Sequence, residues 1–158
     1  MKSILILLIS ISILAGCVNN TSNTSLKENK VNYPNGKLKL LYYTQNDKKN
    51  GDRFEYDRQG NLITKFKFKD DVQCDTAFYY YPNGKLNEFQ IFKEGKRVGN
   101  MVRYWPNGAV QIKSQFINNL QDGLYVKLDS IGDTLITINY RMGKILEVKN
   151  DEAFQKLK

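Results

Sequence analysis

The chain contains no histidine. That removes the commonest general base, the commonest neutral metal ligand and the usual switch near neutral pH. Cysteine occurs twice, at Cys17 and Cys74, so neither a Cys-x-x-Cys pair nor a cysteine-rich metal knuckle can be assembled. There is no Gly-x-Ser-x-Gly elbow, no phosphate loop ending in Gly-Lys-Ser/Thr and no calcium-loop spacing. Asp70 and Asp71 are adjacent, but they fall at an expected turn, where carboxylates usually serve local capping. Catalysis is therefore not expected, and no cofactor or metal is expected either. Proline occurs only three times, always followed by Asn-Gly and preceded by an aromatic residue.

Among what is present, charge stands out. Lys and Arg number 24 against 16 Asp and Glu, a formal net charge of +8. Such a balance suits anionic partners, or simply keeps lysine on the solvent faces of strands. Aromatic residues make up 12% of the chain, ample for a folded core.

The first residues read MKSILILLISISILAGC. Lys2 supplies a short positive start, and Ile4 to Leu14 is an apolar run broken only by Ser10 and Ser12. A bilayer core needs about 20 helical residues, so this run has the length of a signal-peptide hydrophobic region. Leu14-Ala15-Gly16-Cys17 then resembles the lipobox of bacterial lipoproteins. The resemblance implies cleavage between Gly16 and Cys17, acylation of Cys17 and attachment to a membrane of the cell envelope. Two or more acyl chains give stable anchoring where one gives only marginal binding. With Cys17 acylated, Cys74 is expected as a lone thiol, more a small packed hydrophobe than a nucleophile. Val18, rather than Asp, follows Cys17, which favours the outer membrane over the inner. Residues 17–30 are rich in Asn, Ser, Thr and Lys and read as a flexible tether. Residues 31–150 carry the folded domain, and 151–158 form a tail.

The domain is a repeat. Gly36, Gly60, Gly84, Gly108 and Gly132 are each 24 residues apart. Eight residues beyond them stand Thr44, Phe68, Phe92, Phe116 and Tyr140; fifteen beyond stand Gly51, Asp75, Gly99, Gly123 and Glu147. Inside a unit the apolar period is two, the signature of a strand. Leu62, Thr64, Phe66 and Phe68 share one predicted face, and Ile63, Lys65, Lys67 and Lys69 the other. Val110, Ile112, Ser114 and Phe116 repeat the first face, with Val102 and Tyr104 expected to point inward from the preceding strand. Pro-Asn-Gly suits a type I turn closed by a glycine at positive φ. A second turn is expected about eleven residues later, at Asp47, Asp71, Gly95, Asn119 and Gly143. Leu135 falls out of step, which suggests a bulge or cap in the fifth unit. The predicted fold is all-β: an elongated antiparallel hairpin array of about five 24-residue units, each stable only through its neighbours.

The unit running from Gly84-Lys85-Leu86 through Phe92, Glu94-Gly95-Lys96, Gly99 and Tyr104-Trp105-Pro106-Asn107-Gly108 resembles the MORN-repeat variant family, whose bacterial members are often labelled YwqK-type antitoxin components. The resemblance implies a non-catalytic binding array and, through that label, a toxin-neutralising role as the alternative. Two candidate binding surfaces follow from the residues. One is a basic stripe including Lys65, Lys67, Lys69, Arg97 and Arg103. The other is a strip of turn aromatics, Tyr33, Tyr81 and Trp105. The expected partners are the membrane, through the lipid, and a protein or envelope polymer. Nucleic acid is not expected for an exported chain, and the oligomeric state is left open.

Overall fold

A computed structural model describes residues 25–150. The expected signal peptide, the Gly16–Cys17 cleavage site, the first part of the tether and the tail at 151–158 lie outside them. The described chain is one antiparallel sheet: β1 (Lys27–Asn32), β2 (Leu38–Gln45), β3 (Lys48–Tyr56), β4 (Leu62–Lys69), β5 (Val72–Tyr80), β6 (Leu86–Lys93), β7 (Lys96–Tyr104), β8 (Val110–Ile117), β9 (Leu120–Gln121), β10 (Gly123–Leu128), β11 (Thr134–Arg141) and β12 (Lys144–Asn150). Each strand pairs with the next in sequence, except that β8 pairs with both the short β9 and β10. This is the predicted all-β hairpin array. The sheet begins at Lys27, inside the stretch read as tether. β1 is polar and joins through backbone pairing with β2 rather than through apolar burial.

Two kinds of turn alternate along the chain and collect at opposite ends of the sheet. At one end, Tyr81-Pro82-Asn83-Gly84 folds as a turn in which the Gly84 N–H donates to the Tyr81 carbonyl (2.9 Å) and the Tyr81 N–H to the Lys85 carbonyl (2.9 Å). Gly84 takes φ 79°, a left-handed conformation that glycine adopts at no steric cost. The register slips by one residue there, with Tyr79 opposite Glu88 and Tyr80 opposite Leu86. That is the expected hairpin with a bulge. At the other end, two successive residues take positive φ: Asn46 and Asp47, Asp70 and Asp71, Glu94 and Gly95, Asn118 and Asn119, Met142 and Gly143. These are two-residue hairpin loops of the mirror-image type that matches strand twist.

The glycines fifteen residues on answer the aromatics eight residues on. Gly51 lies opposite Phe68, Gly99 opposite Phe116 and Gly123 opposite Tyr140; Asp75 opposite Phe92 fills the same place in the second unit. Gly99 sits at φ 66° with Ile91 Cδ1 3.5 Å from where a Cβ would project. An aromatic ring across from a bare glycine covers backbone that would otherwise be open.

A single layer cannot enclose a large core. Ala77, Met101, Ile112 and Phe116 are the buried apolar residues, with Tyr125 packed against the last three. Most other apolar side chains are half-exposed, so stability depends on cross-strand pairs repeated along the array.

Two expectations are corrected. Val102 pairs with Lys113 and lies on the face opposite Ile112 and Phe116; Met101 is the buried residue. The bulge at Arg103/Tyr104 breaks the simple alternation used to place it. The bulge expected at Leu135 is there: Lys127 lies opposite Ile136 and Leu128 opposite Thr134, so the register skips Leu135, as it slips at the same place in the other units, and Thr134 takes the place that leucine or valine holds in them. Cys74, expected as a lone thiol, is disulfide-bonded, and none of the described cysteines is free. That expectation followed from acylation of Cys17 rather than from anything around Cys74. Cys17, the chain's other cysteine, lies outside the described residues.

Candidate binding surfaces

Because register is kept from strand to strand, side chains form ladders across the whole sheet. On the Ile112 face one ladder runs from Leu40 through Glu55, Thr64, Tyr79, Glu88, Arg103, Ile112 and Lys127 to Ile136. On the opposite face another runs from Leu41 through Phe54, Lys65, Phe78, Phe89, Val102, Lys113 and Val126 to Thr137. The first carries polar groups at its centre. The second sets two lysines, Lys65 and Lys113, among apolar residues.

The centre of the Ile112 face is tightly knit. Glu88 is 5% exposed. Its carboxylate accepts from Arg103 Nε (2.6 Å) and from the Gln90 amide. Removing Arg103 would leave a buried carboxylate without its cation, a costly arrangement. Burial, with the charge of Glu88 adding to it, raises the Tyr79 phenol above its ordinary pKa. Tyr79 stands edge-on to Phe66 at 5.4 Å, and the Arg53 guanidinium lies over the Phe66 ring at 5.7 Å. Arg53 also pairs with Glu55 at 3.4 Å.

The basic stripe expected from sequence is divided between the two faces. Lys65 and Lys67 share the Phe89 face, where Lys65 lies 3.8 Å from Asp52 and over the Phe54 ring, and Lys67 lies 3.7 Å from Asp75. Lys69 is exposed at the end of β4. Arg97 and Arg103 are on the other face: Arg97 covers the Phe116 ring at 4.4 Å, and Arg103 is held by Glu88. Sequence reasoning had followed alternation along β4 but had no cross-strand register with which to carry it to β7.

The turn aromatics do line one end of the sheet, and each reaches into the next unit. The Tyr33 hydroxyl donates to the Tyr56 carbonyl (2.8 Å), the Tyr81 hydroxyl to the Tyr104 carbonyl (2.7 Å) and Trp105 Nε1 to the Leu128 carbonyl (3.2 Å). Their polar ends are thus committed to joining hairpins, while part of each ring stays exposed. Asp57 and Asp129 hold the equivalent position in the other two turns. Asp129 Oδ1 accepts the N–H groups of Ile131, Gly132 and Asp133 at 2.8–2.9 Å.

One feature was not legible beforehand. Where β8 pairs with β10 only at Lys113–Val126 and Ile112–Lys127, a groove opens between the strands. Val102, Lys113, Gln115, Leu124 and Val126 line it, and Leu124 is 53% exposed. The Asp122 N–H still donates to the Gln115 carbonyl, and the groove opens where Gly123 to Tyr125 have no partner in the β8 register. Among the described residues there is no group of three or more His, Cys, Asp or Glu able to hold a metal ion.

The family described as MORN repeat variant matches the chain at residues 76–93 and 97–118. Those stretches run from β5 into β6 and from β7 into β8; both keep an aromatic eight residues beyond the turn glycine, facing Asp75 in the first and Gly99 in the second. No curated protein matches the chain.

Proposed function

We propose that this chain is a bacterial envelope lipoprotein, anchored through acylated Cys17, whose β-array is a non-catalytic module binding a protein or an envelope polymer. The observation that carries the binding part is the single-layer sheet with two long, half-exposed ladders that no other described residues cover. A flat surface with apolar anchors and adjacent charged groups suits recognition of another macromolecule. The match of residues 76–118 to a repeat family supports the same reading. The anchor is supported by the order of Lys2, the apolar run, Ala15-Gly16 and Cys17. A toxin would be one special case of such a partner, and no observation here favours it over other proteins.

Three measurements test the proposal. Cross-linking in the native envelope should recover one partner, with recovery reduced by Phe89→Asp on the exposed ladder; recovery of nothing above background would sink the binding reading. Labelled fatty acid should enter the wild type and not Cys17→Ala. A thioether at Cys17 and a Cys17–Cys74 disulfide are mutually exclusive within one chain, so the disulfide-bonded Cys74 counts against the anchor unless Cys74 bonds to a cysteine of another molecule. The intact mass before and after reduction therefore decides between them, and a fully disulfide-bonded, unacylated population would end the anchor reading.

A further inference from the structure

The two ends of the sheet differ in charge. Five turns close each end, and a window of five residues around each turn gives like-for-like rims. At the Pro-Asn-Gly end, Lys37, Arg58 and Lys85 balance Asp57, Asp129 and Asp133. The ammonium groups of Lys37 and Lys85 are also tied to carbonyls of the neighbouring turn. At the other end, four carboxylates, Asp47, Asp70, Asp71 and Glu94, meet eight cations. Lys48, Lys49 and Lys69 flank the first two turns and are exposed. Lys93 and Lys96 flank the third, Arg141 and Lys144 the fifth, again exposed; Arg97 is the half-buried one. None of the ion pairs found among the described residues uses a cation of this rim.

The chain's N-terminal part joins the sheet at this same end. Lys27 opens β1 opposite Thr44, two residues before the Asn46 turn, and adds a further exposed cation. The nine residues between Cys17 and Lys27 reach at most about 30 Å when fully extended.

We infer that the cationic rim at the two-residue turns is a membrane-facing edge that binds anionic lipid headgroups and stands the array end-on to the bilayer. The orientation rests on the anchor reading; the charge asymmetry does not. An acyl anchor close to a polybasic patch is the two-signal arrangement that gives stable attachment, and basic groups are attracted to an anionic leaflet within about a Debye length. The balanced opposite rim then points away from the surface, leaving both ladders open to a partner.

The test is amine labelling of the full chain reconstituted in vesicles, read residue by residue by mass spectrometry. On vesicles containing phosphatidylglycerol, labelling of Lys48, Lys93 and Lys96 should fall several-fold relative to Lys37 and Lys85. The protection should vanish on phosphatidylcholine vesicles and in 1 M salt, where the Debye length is about 3 Å. Equal protection at both ends, protection indifferent to headgroup charge, or protection confined to Lys65 and Lys67 would each overturn the proposal. Fatty-acid content at Cys17 is measured on the same sample. An acylated chain with no charge-dependent footprint sinks the rim and leaves the anchor. An unacylated chain with the footprint sinks the anchor and leaves the rim.

Discussion

The same 24-residue period builds two unlike ends. At the Pro-Asn-Gly end, side chains do the joining: the rings of Tyr33, Tyr81 and Trp105 send hydrogen bonds into the following unit, and Asn35 and Asn107 donate to Arg58 and Ser130 carbonyls. At the other end, joining is mainly a backbone affair. The Asp71 N–H donates to the Lys49 carbonyl while Asp71 Oδ1 accepts from the Lys49 N–H, and Asn119 does the same with Arg97. Side chains there are left over, and they are mostly cationic. The difference separates two demands on a repeat. Residues needed for stacking recur at one end; residues not needed for stacking are free to carry charge at the other.

Substitutions should expose that division, beginning with the largest effect. Trp105→Ala removes a half-buried indole and its hydrogen bond, and should cost about 2–3 kcal/mol by chemical denaturation, below the range for a full core truncation because the ring is partly exposed. Lys96→Ala at the opposite rim should change stability by less than about 0.5 kcal/mol. Equal losses at the two positions would erase the comparison. Tyr81→Phe keeps the ring and deletes one hydrogen bond to Tyr104, so its cost should be about 1 kcal/mol. Replacing Glu94 by Asn places Asn-Gly in a loop whose first residue already stands at φ 51°, and should stabilise by about 0.5 kcal/mol. A loss instead would mean that Glu94 makes a contribution its turn geometry does not reveal.

These turns were the part of the molecule most legible in the sequence. The glycine period located five of them, and Asp, Asn or Gly about eleven residues beyond each glycine located the other five, because left-handed backbone favours those residue types. Strand existence was equally plain from period-two runs such as Leu62 to Lys69. Faces were harder. Alternation placed Phe66, Phe68, Ile112 and Phe116 together correctly, yet the bulges that end the odd-numbered strands β3, β5 and β7 moved Val102 to the other side. The Glu88–Arg103 pair joins residues fifteen apart and becomes visible only once the register of β6 on β7 is known. The splitting of the lysine and arginine residues between two faces has the same origin. The groove beside Leu124 depends on the stretch from Gly123 to Tyr125 that does not pair with β8, which the composition of the segment does not announce.

The smallest expected effect concerns pH, and it is confined to the Pro-Asn-Gly end. Asp57 and Asp129 occupy the turn position that an aromatic residue fills elsewhere. The Asn61 side-chain amide, helped by the N–H groups of Asn61, Gln59 and Gly60, holds the Asp57 carboxyl below its ordinary 3.8. At Asp129 partial burial acts in the opposite direction, but the N–H groups of Asp133, Ile131 and Gly132 together outweigh it and the carboxyl again titrates low. A carboxyl whose folded pKa is depressed binds fewer protons than in the unfolded chain, so its contribution is complete above the unfolded value and is lost as pH falls through the folded one. The expected window therefore opens near pH 4 and extends downward, while stability from pH 6 to 8 stays level with respect to these two groups. Thermal midpoints measured from pH 6 to pH 2.5 should fall less steeply for Asp57→Asn than for the wild type. Parallel curves would show that the charge of Asp57 contributes nothing to holding its turn, a neutral side-chain acceptor sufficing there as Asn35, Asn83 and Asn107 do in the aromatic turns.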